Sequence, residues 1–243
     1  MSKIADLMLM AAGGSKAPLE GRISYVNTAS NTSSQTGSHT RSHTVSSGSI
    51  LSSDALIACF ACSSSTNDAN QVSSVSIQGG SATQLFLLNG GSSYVFEYDR
   101  LSMGFYYISG VTDTSGEIDV DISVTGDDVV RSGVFLYKVS DATTLSLSDT
   151  ASTSKENNSS TETSGTIDIP SNEVGFYFGA MLSINTTDGT SLTDGSVQDA
   201  EAMWSAIGAS IGRVNGQALS NSENFSCDLT SRPFRSIAMS LAE

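Results

Sequence analysis

The residues that could do chemistry are few, and their spacing argues against most reactions. Gly208-Ala-Ser-Ile-Gly212 matches the G-x-S-x-G pattern of a nucleophile elbow, in which Ser210 would attack with help from a downstream acid and histidine. Both histidines, His39 and His43, lie upstream of it, and no helical pattern follows residue 212, so the esterase reading fails. The two histidines stand four apart in a Ser/Thr-rich stretch without the glutamate or helix that aligns a zinc-protease pair. They read as solvated loop histidines. Cys59 and Cys62 have C-x-x-C spacing inside an apolar run, where an odd offset on a strand sends the thiols to opposite faces. With Cys227 they read as small buried hydrophobes rather than a redox or zinc pair. Phosphate-cradling glycine loops are absent from the sequence, and neither a cofactor nor a metal is expected.

Carboxylates are more plentiful. Asp119 and Asp121 share one strand face, which is the wet side of a half-buried sheet before it is an acid pair of the kind glycosidases use. Asp127-Asp128, Asp188 and Asp194 offer oxygen ligands for calcium but lack the spaced loop of an EF-hand. Trp204 is the one tryptophan, so a sugar-stacking surface would need tyrosines beside it. Tyr94, Tyr98, Tyr106 and Trp204 are the candidate glycan contacts. The Tyr106-Tyr107 pair puts one ring on each face of its strand, so at least one of the two belongs to a core.

The elements that must position these groups are strands. Serine and threonine number 47 and 22 of 243 residues, and charged residues make up 15%. Hydroxyl side chains compete with the helical backbone for hydrogen bonds, while threonine suits a pleated, half-buried surface. Glu117–Val124 alternates Ile118, Val120, Ile122 and Val124 with Asp119, Asp121 and Ser123, which gives one buried and one wet face. Apolar runs over 55–61 and 175–182 read as central strands. Further strands are predicted over 22–28, 72–78, 94–99, 104–109, 133–139, 165–169, 174–184, 202–207, 225–229 and 235–241. Long exposed loops are predicted over 28–49 and 148–164. Twelve to fourteen strands separated by Gly, Asn, Asp and Ser turns imply an all-β, antiparallel two-sheet β-sandwich spanning residues 21–243. No fixed-period internal repeat is visible.

Residues 1–20 are different. Ile4, Leu7, Met8 and Ala11 fall at i, i+3, i+4 and i+7, with Leu9 and Met10 between them, and Gly13-Gly14 ends the run. This predicts a short N-terminal apolar helix, an anchoring or assembly element made of Ile4, Leu7, Met8, Leu9, Met10 and Ala11. Asp6 interrupts the segment as a signal peptide, and no stretch reaches the length of a membrane span. Eleven Lys+Arg against 25 Asp+Glu give a net charge of −14, which disfavours nucleic acid and anionic membranes as partners.

Three segments together, Ile4–Gly13, Asp54–Ala61 and Arg235–Ala242, resemble a family of β-sandwich structural proteins of tailed bacteriophages and prophages. The resemblance implies a jelly-roll-like body behind an apolar N-terminal segment and a place on the surface of a virion head or tail, as a decoration, spike, fibre or tail-associated subunit. It implies other phage structural proteins, capsid or tail, as partners, together with self-association, a trimer by analogy. It offers no catalytic residues, and a non-enzymatic role follows. The alternative is a carbohydrate-binding module or adhesin for a host-surface glycan, with a carbohydrate-active enzyme as a third reading.

Overall fold

The computed structural model describes residues 17–35, 37–64, 71–90, 100–125, 129–155, 161–182, 190–193, 197–204, 207–215, 221–227 and 233–243. The N-terminal apolar helix expected at Ile4–Ala11 lies outside them. Past one 3-10 turn, η1 (Leu19–Arg22), every regular element described is a strand. The first set is β1 (Ile23–Asn31), β2 (His39–Ile50), β3 (Ala55–Ser64), β4 (Gln71–Ile77), β5 (Gly80–Ser81), β6 (Thr83–Leu88), β7 (Leu101–Ser109), β8 (Thr114–Thr125) and β9 (Val129–Val139). The second is β10 (Ser146–Lys155), β11 (Thr161–Ile167), β12 (Val174–Leu182), β13 (Thr190–Thr193), β14 (Val197–Met203), β15 (Ile207–Asn215), β16 (Asn221–Cys227) and β17 (Phe234–Ala242).

The alternation predicts two packed sheets; the chain forms four. The first set makes an inner sheet, β1-β9-β3-β7-β6, and an outer sheet, β2-β8-β4-β5. The second makes an inner sheet, β10-β17-β12-β15-β14, and an outer one, β11-β16-β13. Substituting β10 for β1, and so on in order to β17 for β9, with β14 standing for β6, turns the first pair of orders into the second. Two-residue β5 alone lacks a counterpart. In both halves the chain alternates between inner and outer sheet in the same order, except at the hairpins β6-β7 and β14-β15, which stay in the inner sheet.

Register confirms the duplication. The bulge between Gln84 and Phe86 against β7 recurs at the same register between Gln198 and Ala200 against β15, and the bulge between Tyr25 and Asn27 against β9 has a counterpart two residues displaced, between Leu147 and Asp149 against β17. Pairing to the neighbouring strands makes Ile57 equivalent to Phe176, Cys59 to Phe178, Phe135 to Ile237 and Tyr137 to Met239. Along β3 and β12 a single equivalent pair from 55–63 and 174–182 is identical, Ala61 and Ala180, which is why no repeat shows in the sequence.

Three cores separate four layers. One lies between the first half's sheets (Val45, Leu56, Phe60, Ile118, Val120, Leu136), and one between the second half's (Ile167, Tyr177, Met181, Phe234). The largest joins the two inner sheets face to face through Ile57, Cys59, Phe105, Phe135, Phe176, Phe178, Ile211 and Met239. Each inner sheet is therefore buried on both faces, and β3 and β12 read as unbroken apolar runs because neither face meets water. The odd offset of Cys59 and Cys62 does send them to different cores, Cys59 to the seam and Cys62 to the first sandwich.

The two predicted loops are corrected. The stretch 28–49 holds the end of β1 and edge strand β2, and most of 148–164 is β10 with the start of β11. On β2 the outward positions Thr40, Ser42, Thr44 and Ser46 are hydroxyl rather than charged residues, which is why the stretch looks like a loop in sequence. Of the predicted strand over 202–207, Ala202 and Met203 end β14 and Ile207 opens β15, with Trp204 N–H donating to the Ile207 carbonyl at 2.8 Å. Strands β6 and β13 lack the alternation that would reveal them, and the predicted strand over 94–99 lies outside the described residues.

Candidate functional site

The seam between the halves is reciprocal: β12 touches β7 as β15 touches β3, and β15 touches β9 as β17 touches β7. Two clasps lock it at equivalent positions. Gly133 on β9 leaves room for the Trp204 indole, which a Cβ there would meet at 1.9 Å. Trp204 Nε1–H donates to Thr28 Oγ1 at 3.1 Å, and that hydroxyl donates to the Val134 carbonyl at 2.8 Å. Arg235, the register equivalent of Gly133, reaches in the opposite sense and donates to the carbonyls of Asn89 and Leu101 at 2.5 and 2.7 Å. A third tie runs along the seam edge. The Arg213 guanidinium grips Asp199 through Nε and Nη2 at 2.5 and 2.9 Å, lies over the Tyr137 ring at 5.6 Å, and donates to the Ile23 carbonyl. Tyr137 donates its hydroxyl to Asp199 at 3.0 Å. Burial pushes the Tyr137 phenol well up, with Asp199 adding to it, and burial beside Asp199 raises Tyr25 to about 12. Burial pulls Arg213 down, but the hydrogen bond and charge of Asp199 more than reverse this and leave it raised.

Inside the first sandwich, β2 turns Arg41, His43 and Val45 inward. The two polar residues, far from a solvated loop, are 0% and 2% exposed. His43 Nδ1 lies 3.3 Å from the Val120 carbonyl and Nε2 lies 2.8 Å from Ser132 Oγ. A carbonyl can only accept, so Nδ1 carries the proton and Nε2 accepts from Ser132. The Ser132 oxygen accepts in turn from Arg41 Nε at 3.2 Å, and Arg41 also donates to the Asn31 and Ser33 carbonyls. Burial, with the nearby Arg41 charge opposing a second cation, lowers His43 to about 4. Burial likewise pulls Arg41 down and pushes Cys62 up to about 12. The histidine–serine pair has the contacts of a general base and a nucleophile, and both residues are buried between the two sheets of the first half.

The chain enters the body at η1, whose Leu19 is buried in the seam core. Arg22 gathers three distant segments there. Its Nε donates to the Ala17 carbonyl and Nη1 to those of Ser140 and Asp141, while Nη2 pairs with Glu243. A depression of about 290 Å³ lined by Ala17, Pro18, Leu19, Arg22, Asn172 and Glu243 lies beside this knot. Elsewhere, a depression of about 340 Å³ opens at one end of the first sandwich between Ile77, Gln78, Ile108, Thr112, Asp113 and Thr114. Its lining includes no aromatic side chain.

Of the candidate glycan contacts, Tyr94 and Tyr98 lie outside the described residues. Tyr106 is 4% exposed in the first sandwich, with its hydroxyl on Gln84, and Trp204 is 2% exposed in the seam. Neither presents a ring face to solvent, because each was drawn into a core by its apolar area. The anchoring set Ile4, Leu7, Met8, Leu9, Met10 and Ala11 also lies outside the described residues. Ser210 is buried in the middle of β15 and not at an elbow, and Asp119 and Asp121 lie on the outward face of β8, where Asp119 accepts from Thr44. The seam ties at Arg213, Asp199 and Arg235 were not legible in the sequence, since nothing local marks a charged residue that will be covered by the other half. Among the described residues, no group of three or more His, Cys, Asp and Glu could hold a metal ion. No described helix is long and apolar enough to cross a membrane.

No family model matches the sequence, and no curated protein matches it. Among solved structures, the chain has a weak likeness to one described as Cucumber Necrosis Virus, with TM-score 0.26 and 10% identity over 89% of this chain and 84% of that one. The mavirus major capsid protein gives TM-score 0.23 and 6% identity over 95% and 89%. A structure of the Sputnik virophage gives 0.21 and 8% over 93% and 86%.

Proposed function

We propose that this chain is a non-enzymatic structural subunit of a tailed-bacteriophage virion, placed on the surface of the head or tail as a decoration, fibre or tail-associated protein. The observation that carries the reading is how the body uses its apolar surface. Both inner sheets are covered on both faces, and the outward face of the first half's outer sheet is hydroxyl and carboxylate, as on β8. Among the described residues the exposed large apolar side chains are Leu51 and Leu147, and the sequence adds the apolar run Ile4–Ala11 ahead of η1, which Arg22 ties to Ser140, Asp141 and Glu243. A rigid body tethered at one reinforced point suits a subunit held in an assembly. Its partners are other virion proteins and further copies of itself, and repetition on a particle raises avidity without new contacts. Fold does not select this role among those that jelly rolls serve, so the test is on particles. An antibody to residues 22–243 should place gold on particles released by the source culture, and a chain lacking residues 1–16 should fold yet fail to incorporate. Particles without gold, or truncated protein that still incorporates, would overturn the proposal.

A further inference from the structure

We infer that the seam is an exchangeable interface whose second partner is another copy of this chain, and that Arg22 and the Ser140–Asp141 turn keep it closed within one molecule. Among the described residues, each of the four sheets holds strands of one half alone. The polypeptide crosses between halves once, through the six residues 140–145 between β9 and β10. Every seam contact described above, from Trp204 on Gly133 to Arg235 on Asn89, is therefore available in the same form when the first half of one chain meets the second half of another. What such an exchange gives up is the closed shape of the connection.

That connection is held by identifiable groups. Asp141 has φ of 54°, in the left-handed region that a non-glycine residue adopts at a cost. Arg22 holds the turn in place by accepting the Ser140 N–H on its own carbonyl and donating Nη1–H to the Ser140 and Asp141 carbonyls. Ala142 and Leu145 then enter the seam core. A short connection closed around a strained residue is the kind of hinge at which chains exchange identical elements, since straightening it relieves the strain while the packing between the strands of the two halves re-forms between copies. The inference rests on the fold and does not depend on the virion reading.

The full chain carries the test, with a protease site inserted between the exposed Thr143 and Thr144. Asp141→Pro fixes φ near the extended side and opens the turn. It should convert the protein from the 25.2 kDa of one chain to twice that mass by light scattering, with an unchanged circular dichroism spectrum. Cutting the inserted site should then halve the mass, because each seam holds one half from each copy. Asp141→Gly, which removes the strain, should stay at the mass of one chain. A folded Asp141→Pro protein that remains at one-chain mass would overturn the inference, as would a dimer that survives the cut. Should Asp141→Pro fail to fold, Arg22→Ala refolded at high protein concentration carries the same reading. One-chain mass there, or a cut-resistant dimer, counts against exchange equally.

Discussion

The two halves follow one path with opposite placements of bulk. In the first, the rings that face the seam stand on β7 and β9 (Phe105, Phe135, Tyr137), while β3 offers Ile57 and Cys59. In the second, the rings stand on β12 (Phe176, Phe178) and just past β14 (Trp204), while β15 and β17 offer Ile211, Ile237 and Met239. Pressed together, they interlock edge to face, Tyr137 on Phe176 at 5.2 Å and Phe135 on Phe178 at 6.1 Å. The clasps show the same division, glycine under tryptophan at one and arginine over carbonyls at the other. A repeated strand order thus need not carry a repeated surface: each position in the seam complements its opposite number and not itself. The halves differ in their outer cores as well. Both histidines of the chain fall in the first half, and one of them is buried there beside Arg41.

The largest blow to this arrangement should come from Trp204→Ala. It removes a buried indole and its bond to Thr28, and we expect a loss of about 4 kcal/mol in chemical denaturation. The two halves should then unfold in separate transitions where the intact chain shows one.

Acid should separate the halves next. His43 is lowered to about 4 in the folded protein, against an ordinary value of about 6.5. The unfolded chain therefore takes up the proton first on acidification, so its contribution is complete above about pH 6.5 and falls away towards pH 4, by about 3 kcal/mol in all. Hydrogen exchange at pH 4.5 should show β2 and β8 losing protection before β12 and β17. His43→Gln should lessen that decline, and equal loss in both halves would refute it.

Gly133→Ala should cost about 2 kcal/mol by driving a methyl group into the indole. In a Trp204→Ala background the same change should be nearly neutral, and that non-additivity is the sharper result. Tyr137→Phe removes one hydrogen bond to Asp199 and leaves the Arg213 pair, so about 1 kcal/mol is expected in a thermal melt. Smallest of all, Asp119→Asn on the outward face should stay within about 0.5 kcal/mol, separating the solvated faces from the seam.

Much of the first half was readable. The alternation of Glu117–Val124 located β8 and its wet face, and the apolar run at 55–61 located the doubly covered strand β3. Hydroxyl-rich β2 and β10 were read as loops because serine and threonine serve solvent-facing strands and loops alike. His43 was misplaced with β2: a histidine between polar neighbours looks solvated until the pleat turns it inward. Trp204 and Tyr106 were read as candidate binding rings, since a sequence shows an aromatic side chain but not which surface covers it.

By itself the sequence determined that this protein is all-β, acidic, and apolar over residues 7–12, because composition and a period of two act within a few residues. Tertiary structure alone decided that the strands divide into two sheet pairs of equivalent strand order, and that Trp204, Arg213 and Arg235 hold them together. Those outcomes depend on which faces meet across long separations in the chain, as Trp204 meets Thr28. Within each strand, a buried side chain satisfies the same alternation whether its neighbour comes from its own sandwich or from the other.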